Sequence, residues 1–151
     1  MPNLHLIETI DSQKLAKKLN SELEKAYPTP DGTAAETQHR LSVLVQVLTG
    51  GETSKFGVEP ASVRELVTYI RQECPRLNFR GLMSMGLLHD VEGFRKMFQL
   101  RKELADEILP EEHFILSMGI SADIEMAIAE GATEVRLGTT IFGARDYSKK
   151  D

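Results

Sequence analysis

A single cysteine, Cys74, rules out an internal disulfide and a zinc site built from cysteines. Histidine is nearly as scarce, and His5, His39, His89 and His113 show no metal-ligand spacing, so no metal site is expected. Positive charge is in deficit. The 18 Lys and Arg face 23 Asp and Glu, a formal net charge of −5. Phosphate-backbone binding needs clustered Lys and Arg, so nucleic acid is not expected as the main partner. A small phosphate ligand stays open, because one local arginine and outward backbone N–H groups suffice to hold it. Long apolar runs are missing as well, and none approaches the roughly 20 residues of a membrane span. The opening MPNLHLIETIDS lacks the basic and long apolar regions of a secretory signal. With the lone thiol, this favours a cytoplasmic protein, a mitochondrial location being left open. There is no GxGxxG run, no Ser-His-Asp order and no paired carboxylate to nominate, so no catalytic residue is assigned.

What is present suits one domain with a real core over residues 1–151, since 41% of the residues are hydrophobic and 27% charged. Leu4–Glu8 alternates as a short strand. Asp11-Ser12 supplies a helix cap before Leu15, Ala16, Leu19 and Leu23. Tyr27–Gly32, with two prolines, ends that helix. LSVLVQVL at 41–48 is nearly all apolar, as strands covered on both faces are. Pro60 suits a first helical turn, and Val63, Leu66, Val67 and Ile70 mark the helix face. FRGLMSM at 79–85 is a third strand, and Phe94 to Ile108 traces a third helix. Phe114–Leu116 is a short fourth strand. Ser121 is placed to cap a fourth helix that ends at Gly131. Glu134–Gly138 is the fifth strand.

This alternation predicts a parallel sheet with right-handed crossovers. Two architectures fit: an open doubly wound sheet, or part of an eight-stranded barrel. In both, ligands bind at the carboxyl ends of the strands. The last two such ends, Ser117–Ser121 and Gly138-Thr139-Thr140, are rich in Ser, Thr and Gly. Glycine lets backbone approach a phosphate, and N–H and hydroxyl groups donate to it. Arg136 precedes Gly138 by two residues, so the pleat sends both to one face of the strand. An inward arginine is unfavourable unless paired, with a ligand nitrogen or carboxylate, or with an acid such as Glu8. The simpler readings are that Ser121 is only a cap and Gly138 only a tight turn. Met83, Met85 and Met118 lie near strand ends and are candidates to line an apolar pocket. Lys55 reads as a loop lysine.

The segments 7-IETIDSQKLAKKLN-20, 45-VQVLTGGETSKFGV-58, 79-FRGLMSMG-86 and 116-LSMGISADIEMAIAEGATEVRLGTTIFGARDYSKK-150 closely resemble the pyridoxal phosphate homeostasis proteins. These are single-domain relatives of the alanine racemase barrel. The resemblance implies α/β architecture as a partial (β/α) barrel of about five βα units, the C-terminal part of a pyridoxal-phosphate-binding barrel of TIM type. It implies a pyridoxal 5′-phosphate site at the barrel mouth, with Arg136 facing the pyridine nitrogen and Ser121, Gly138 and Thr139 holding the phosphate. The family's cofactor-anchoring lysine is expected in a segment that precedes Met1, and Lys55 matches a loop lysine in its SK-x-G context. Leu48 stands where the family usually has Asn. The implied role is intracellular pyridoxal phosphate homeostasis, as a carrier of vitamin B6 cofactor rather than a catalyst. The rivals are a degenerate partial barrel that works through a partner chain, and a racemase-like enzyme. Open sheet edges would invite self-association.

Overall fold

The structure is a computed structural model that describes residues 3–28, 39–50, 56–105 and 107–144. Five strands, β1 (Leu6–Ile10), β2 (Leu41–Gln46), β3 (Leu77–Met83), β4 (Ile115–Ile120) and β5 (Glu134–Arg136), alternate with α1 (Gln13–Ala26), α2 (Val63–Glu73), α3 (Val91–Ala105) and α4 (Ile124–Ala129). A one-turn α5 (Thr139–Phe142) follows β5. All four strand pairings are parallel, and the strands lie side by side in chain order. A doubly wound sheet reverses its strand order at a switch point. No reversal occurs here, so that alternative falls.

The sheet is also strongly curled. β1 and β4 are three strand positions apart, roughly 14 Å in a flat sheet at about 4.8 Å per step. Yet the Ser117 hydroxyl on β4 donates to Glu8 Oε2 on β1 at 2.7 Å. Side chains that short meet only if the sheet bends round on itself. The result is a half-barrel with a polar concave face and helices on its convex side.

The pleat divides the residues accordingly. Val43, Val45, Phe79, Leu82, Leu116 and Met118 form one buried cluster with Val67, Ile70, Met97 and Ala127 of the helices. The register pairs Gln46 with Met83, Met83 with Ser117, and Ser117 with Glu134, a row that crosses the concave face. Gly81 has φ +149° beside a bulge, and a Cβ there would lie 1.9 Å from the Ile115 carbonyl oxygen. Only glycine lets β3 and β4 approach so closely.

Ser12 caps α1 as its sequence position predicts, its oxygen accepting from the Leu15 N–H at 3.3 Å. Ser121 does not cap α4. The N-cap there is Asp123, and the Ser121 hydroxyl is engaged elsewhere. β4 runs on through Gly119 to Ile120, because Ser117 and Gly119 are small enough to be buried on the sheet. β5 ends at Arg136, short of Gly138, where the chain turns into α5.

Candidate functional site

The carboxyl ends of β4 and β5 flank an open cleft of about 780 Å³. Ser121, Arg136, Gly138 and Thr139 all line it, with Ile120, Phe142 and Gly143 as further wall. The four residues singled out in the sequence are thus brought together, across a gap of 17 positions between Ser121 and Gly138.

Ser121 joins the two loops. Its oxygen accepts the Gly138 N–H at 2.9 Å and the Thr140 N–H at 3.3 Å. Those two donors are therefore committed within the protein rather than aimed outward. Ser121 and Thr139 both line the cleft, and the Thr139 N–H, at the first helical position, has no intrahelical acceptor. α5 has a single turn, so its dipole is small and the discrete donors matter more. Gly138 has no heavy atom within 4 Å of where a Cβ would stand, so its open side is available to a ligand.

Arg136 reaches onto the concave face. Nη1 donates to Ser117 Oγ at 2.9 Å and to the Ser117 carbonyl at 3.4 Å, and Nη2 donates to the Ser84 carbonyl at 2.7 Å. Glu8 Oε2 lies 3.9 Å from Nη1. Guanidinium has five N–H donors, and three serve these protein acceptors, so two have no protein acceptor among the described contacts. Burial depresses the Arg136 pKa from its ordinary value, opposed by the negative charges of Glu8 and then Asp123. The pairing with Glu8 follows the sequence reading in geometry, but the acid comes from the far edge strand of the curled sheet.

Three supports carried no assigned role in the sequence. The Ser84 carbonyl anchors Arg136, and its hydroxyl meets Thr49 Oγ1 at 2.9 Å at the buried ends of β2 and β3. Ser117 mediates between Glu8 and Arg136. Buried Asp123 accepts from the Ile120 N–H at 2.7 Å and the His89 N–H at 3.3 Å, which ties the β3–α3 loop to the β4–α4 loop. Serines at strand ends were the visible signal for the first two. Asp123 had no signal, because its partners come from two separate loops. None of Met83, Met85 and Met118 lines this cleft: Met118 is in the convex core and Met83 is buried on the concave row, while Met85 lines a separate recess with Val47, Leu48 and Leu87 beyond β2 and β3. Lys55 lies outside the described residues. Among the described residues there is no cluster of His, Cys, Asp or Glu suited to a metal ion.

The sequence model of the alanine racemase N-terminal domain family matches residues 1–146. The pyridoxal phosphate homeostasis protein of Mus musculus is 44% identical over 157 aligned positions, which cover 99% of this chain and 54% of that protein. The chain therefore spans about half the length of the curated relatives it matches. Among solved structures, PipY of Synechococcus elongatus with pyridoxal phosphate bound superposes with TM-score 0.67 at 27% identity, covering 91% of this chain and 60% of that one. The alanine racemase of Corynebacterium glutamicum, at 13% identity and TM-score 0.62 over 95% of this chain and 36% of that one, shares the fold alone.

Proposed function

The chain belongs to the family of the alanine racemase N-terminal domain, and from that premise we propose that it holds pyridoxal 5′-phosphate at the mouth of its half-barrel. Residues 1–151 are taken as one domain, the C-terminal part of a cofactor-binding barrel. The observation that carries the reading is that Ser121, Arg136, Gly138 and Thr139 share one cleft. The residues fit the group. A phosphate finds the Thr139 N–H, the Ser121 hydroxyl and the bare side of Gly138, while a ring nitrogen acceptor finds an arginine with donors to spare. The cofactor supplies an aldehyde and a ring able to take up electron density. Arg136 works against the second property, because a fixed positive charge at the ring nitrogen disfavours its protonation. Such a site keeps the cofactor unreactive, as suits a carrier in pyridoxal phosphate homeostasis rather than a racemase. A homologous protein is named for that homeostasis, and another was solved with the cofactor bound.

No helix among the described residues is long and apolar enough to cross a membrane. The proposed setting is cytoplasmic, with a small-molecule cofactor and no nucleic acid as partner. Exposure of Ile141 at 62% and Phe142 at 84% beside the open edge at β5 favours self-association as an accompanying property.

Titration of the purified chain with pyridoxal phosphate, followed by borohydride reduction and peptide mapping, tests the reading. Weak, saturable binding without labelling of a lysine is expected. Absence of saturable binding would defeat the cofactor assignment, and stoichiometric labelling of Lys55 would show that this chain carries its own aldehyde acceptor.

A further inference from the structure

The links that hold Arg136 come from parts of the chain that are far apart in sequence. Glu8 on β1 accepts the Ser117 hydroxyl at 2.7 Å. The Ser117 oxygen in turn accepts from Arg136 Nη1 at 2.9 Å, and the Ser84 carbonyl fixes Nη2 at 2.7 Å. From this geometry we infer that Glu8 and Ser117 are positioning residues, which together set the orientation and effective charge that Arg136 presents to a ligand's ring nitrogen. The inference rests on the cofactor reading above.

A hydroxyl rotates to suit its neighbours. Free to choose, Ser117 would compete for the same acceptors as Arg136. The Glu8 carboxylate takes the hydroxyl hydrogen, so the Ser117 lone pairs turn toward the guanidinium. Hydrogen-bonded chains of this kind strengthen one another in a low-dielectric setting. Glu8 itself stays 3.9 Å from Nη1, close enough to offset part of the positive charge and too far to occupy the donors in a direct bond. A directly bidentate carboxylate would have consumed two of the guanidinium donors. The serine between them leaves Arg136 oriented, partly neutralised and still open to an acceptor.

The other charged groups in reach are Asp123, whose charge favours the ionised Arg136, and Glu134, which interacts with Glu8 and with His5. None of these donates to or accepts from the guanidinium among the described contacts. The work therefore divides between two residues: Ser117 contributes orientation, and Glu8 contributes both the hydroxyl's direction and the counter-charge.

The test uses the full chain and 4-deoxypyridoxine 5′-phosphate, a probe with the phosphate and ring nitrogen but no aldehyde, so no lysine chemistry intervenes. The ultraviolet absorbance of the bound probe is followed against pH to find where its ring nitrogen protonates. Glu8→Gln keeps an acceptor for Ser117 and removes a negative charge, so the midpoint should fall, by on the order of one pH unit. Ser117→Ala frees the guanidinium, so the midpoint should rise toward that of the unbound probe. A purely structural role would leave both midpoints at the wild-type value or move both the same way, and either result would overturn the inference while leaving the cofactor reading intact. Failure of the wild-type chain to bind the probe would defeat the cofactor reading and the inference with it. A ligand-free measurement stands beside these. The guanidinium N–H signals of Arg136 in nitrogen-15 NMR should show slowed rotation in the wild type and faster rotation in Ser117→Ala. Equal rotation in the two folded proteins would sink the positioning claim by itself.

Discussion

At Ser121 one oxygen serves two backbone donors, and that dual use sets what its removal should do. Ser121→Ala takes away the acceptor for the Gly138 and Thr140 N–H groups and the hydroxyl that faces the cleft. Inorganic phosphate binding should weaken by about tenfold, with a similar loss for Thr139→Val, which keeps the backbone N–H but removes the hydroxyl of a residue that lines the cleft, because one hydrogen bond to a charged group contributes on the order of 1.5–3 kcal/mol. Arg136→Ala should weaken phosphate binding by no more than about threefold, since its donors lie along the concave face. Phosphorus NMR titration of the three variants checks the ranking, and a larger loss for Arg136→Ala would place the phosphate elsewhere. Glu134 gives a prediction in pH. Burial raises its pKa above the ordinary glutamate value, helped by the nearby charge of Glu8. The folded state then holds the proton more tightly than the unfolded chain, so stability falls as pH rises through the window between the two values. Glu134→Gln should flatten that slope and raise stability at neutral pH, as read from urea midpoints at pH 4 to 8. Cys74 is buried, and burial first, then Glu73 and Glu24, pushes its thiol up. Thiol reagent should modify it only on unfolding. What was legible at this scale was the identity of the cleft residues, since hydroxyls and glycines at strand ends announce themselves. What was not legible was which atom each one serves: Ser121 faces a neighbouring loop instead of its own helix, a fact of tertiary geometry with no local signature.

The elements differ in how well their ends could be read, and the reasons are physical. α1 was clear because its start is a local hydrogen bond, Ser12 to the Leu15 N–H. Ser12→Ala should cost about 1 kcal/mol in denaturant-measured stability. β2 was clear because both its faces are covered, so its sequence is mostly apolar, with only Ser42 and Gln46 polar. β4 was read too short, since Ser-Met-Gly looks like a loop when its neighbours are unknown. Only the packing of α4 shows that a small residue is needed there, since a Cβ at Gly119 would lie 2.4 Å from the Ala127 Cβ. Gly81 sharpens the point. It was visible merely as a glycine inside a strand, yet its positive φ and the Ile115 carbonyl 1.9 Å from a would-be Cβ make it a joint that no other residue fits. Gly81→Ala must separate β3 from β4 or bend both. The expected loss is several kcal/mol, beyond the range of an ordinary surface substitution. A variant with an unchanged melting temperature would show that the joint is slack.

The whole molecule is a curled five-stranded sheet whose two outer strands, β1 and β5, have no neighbour beyond them among the described residues. The parallel order was predictable from the alternation of elements, whereas the curl came only from the family resemblance to a barrel, because curvature is written in side chains that meet across the concave face. Open edges should make association concentration-dependent. Sedimentation velocity from about 5 to 200 μM should show growth in size, and Phe142→Glu, at an exposed position beside β5, should reduce it. A single monomeric species throughout would remove the proposed self-association. The bond between Ser117 and Glu8 has one more consequence. Every strand pairing in the sheet joins consecutive strands, so each can form soon after its own segment collapses. Ser117 and Glu8 are 109 residues apart in sequence, and their contact waits until the intervening units are in place. The bending of the sheet, and with it the placement of Arg136, should therefore be the last event of folding and the first lost in unfolding. In a stopped-flow experiment the helices would gather early and the mouth of the half-barrel would mature in a separate, slower phase, one that Glu8→Ala abolishes without delaying the rest.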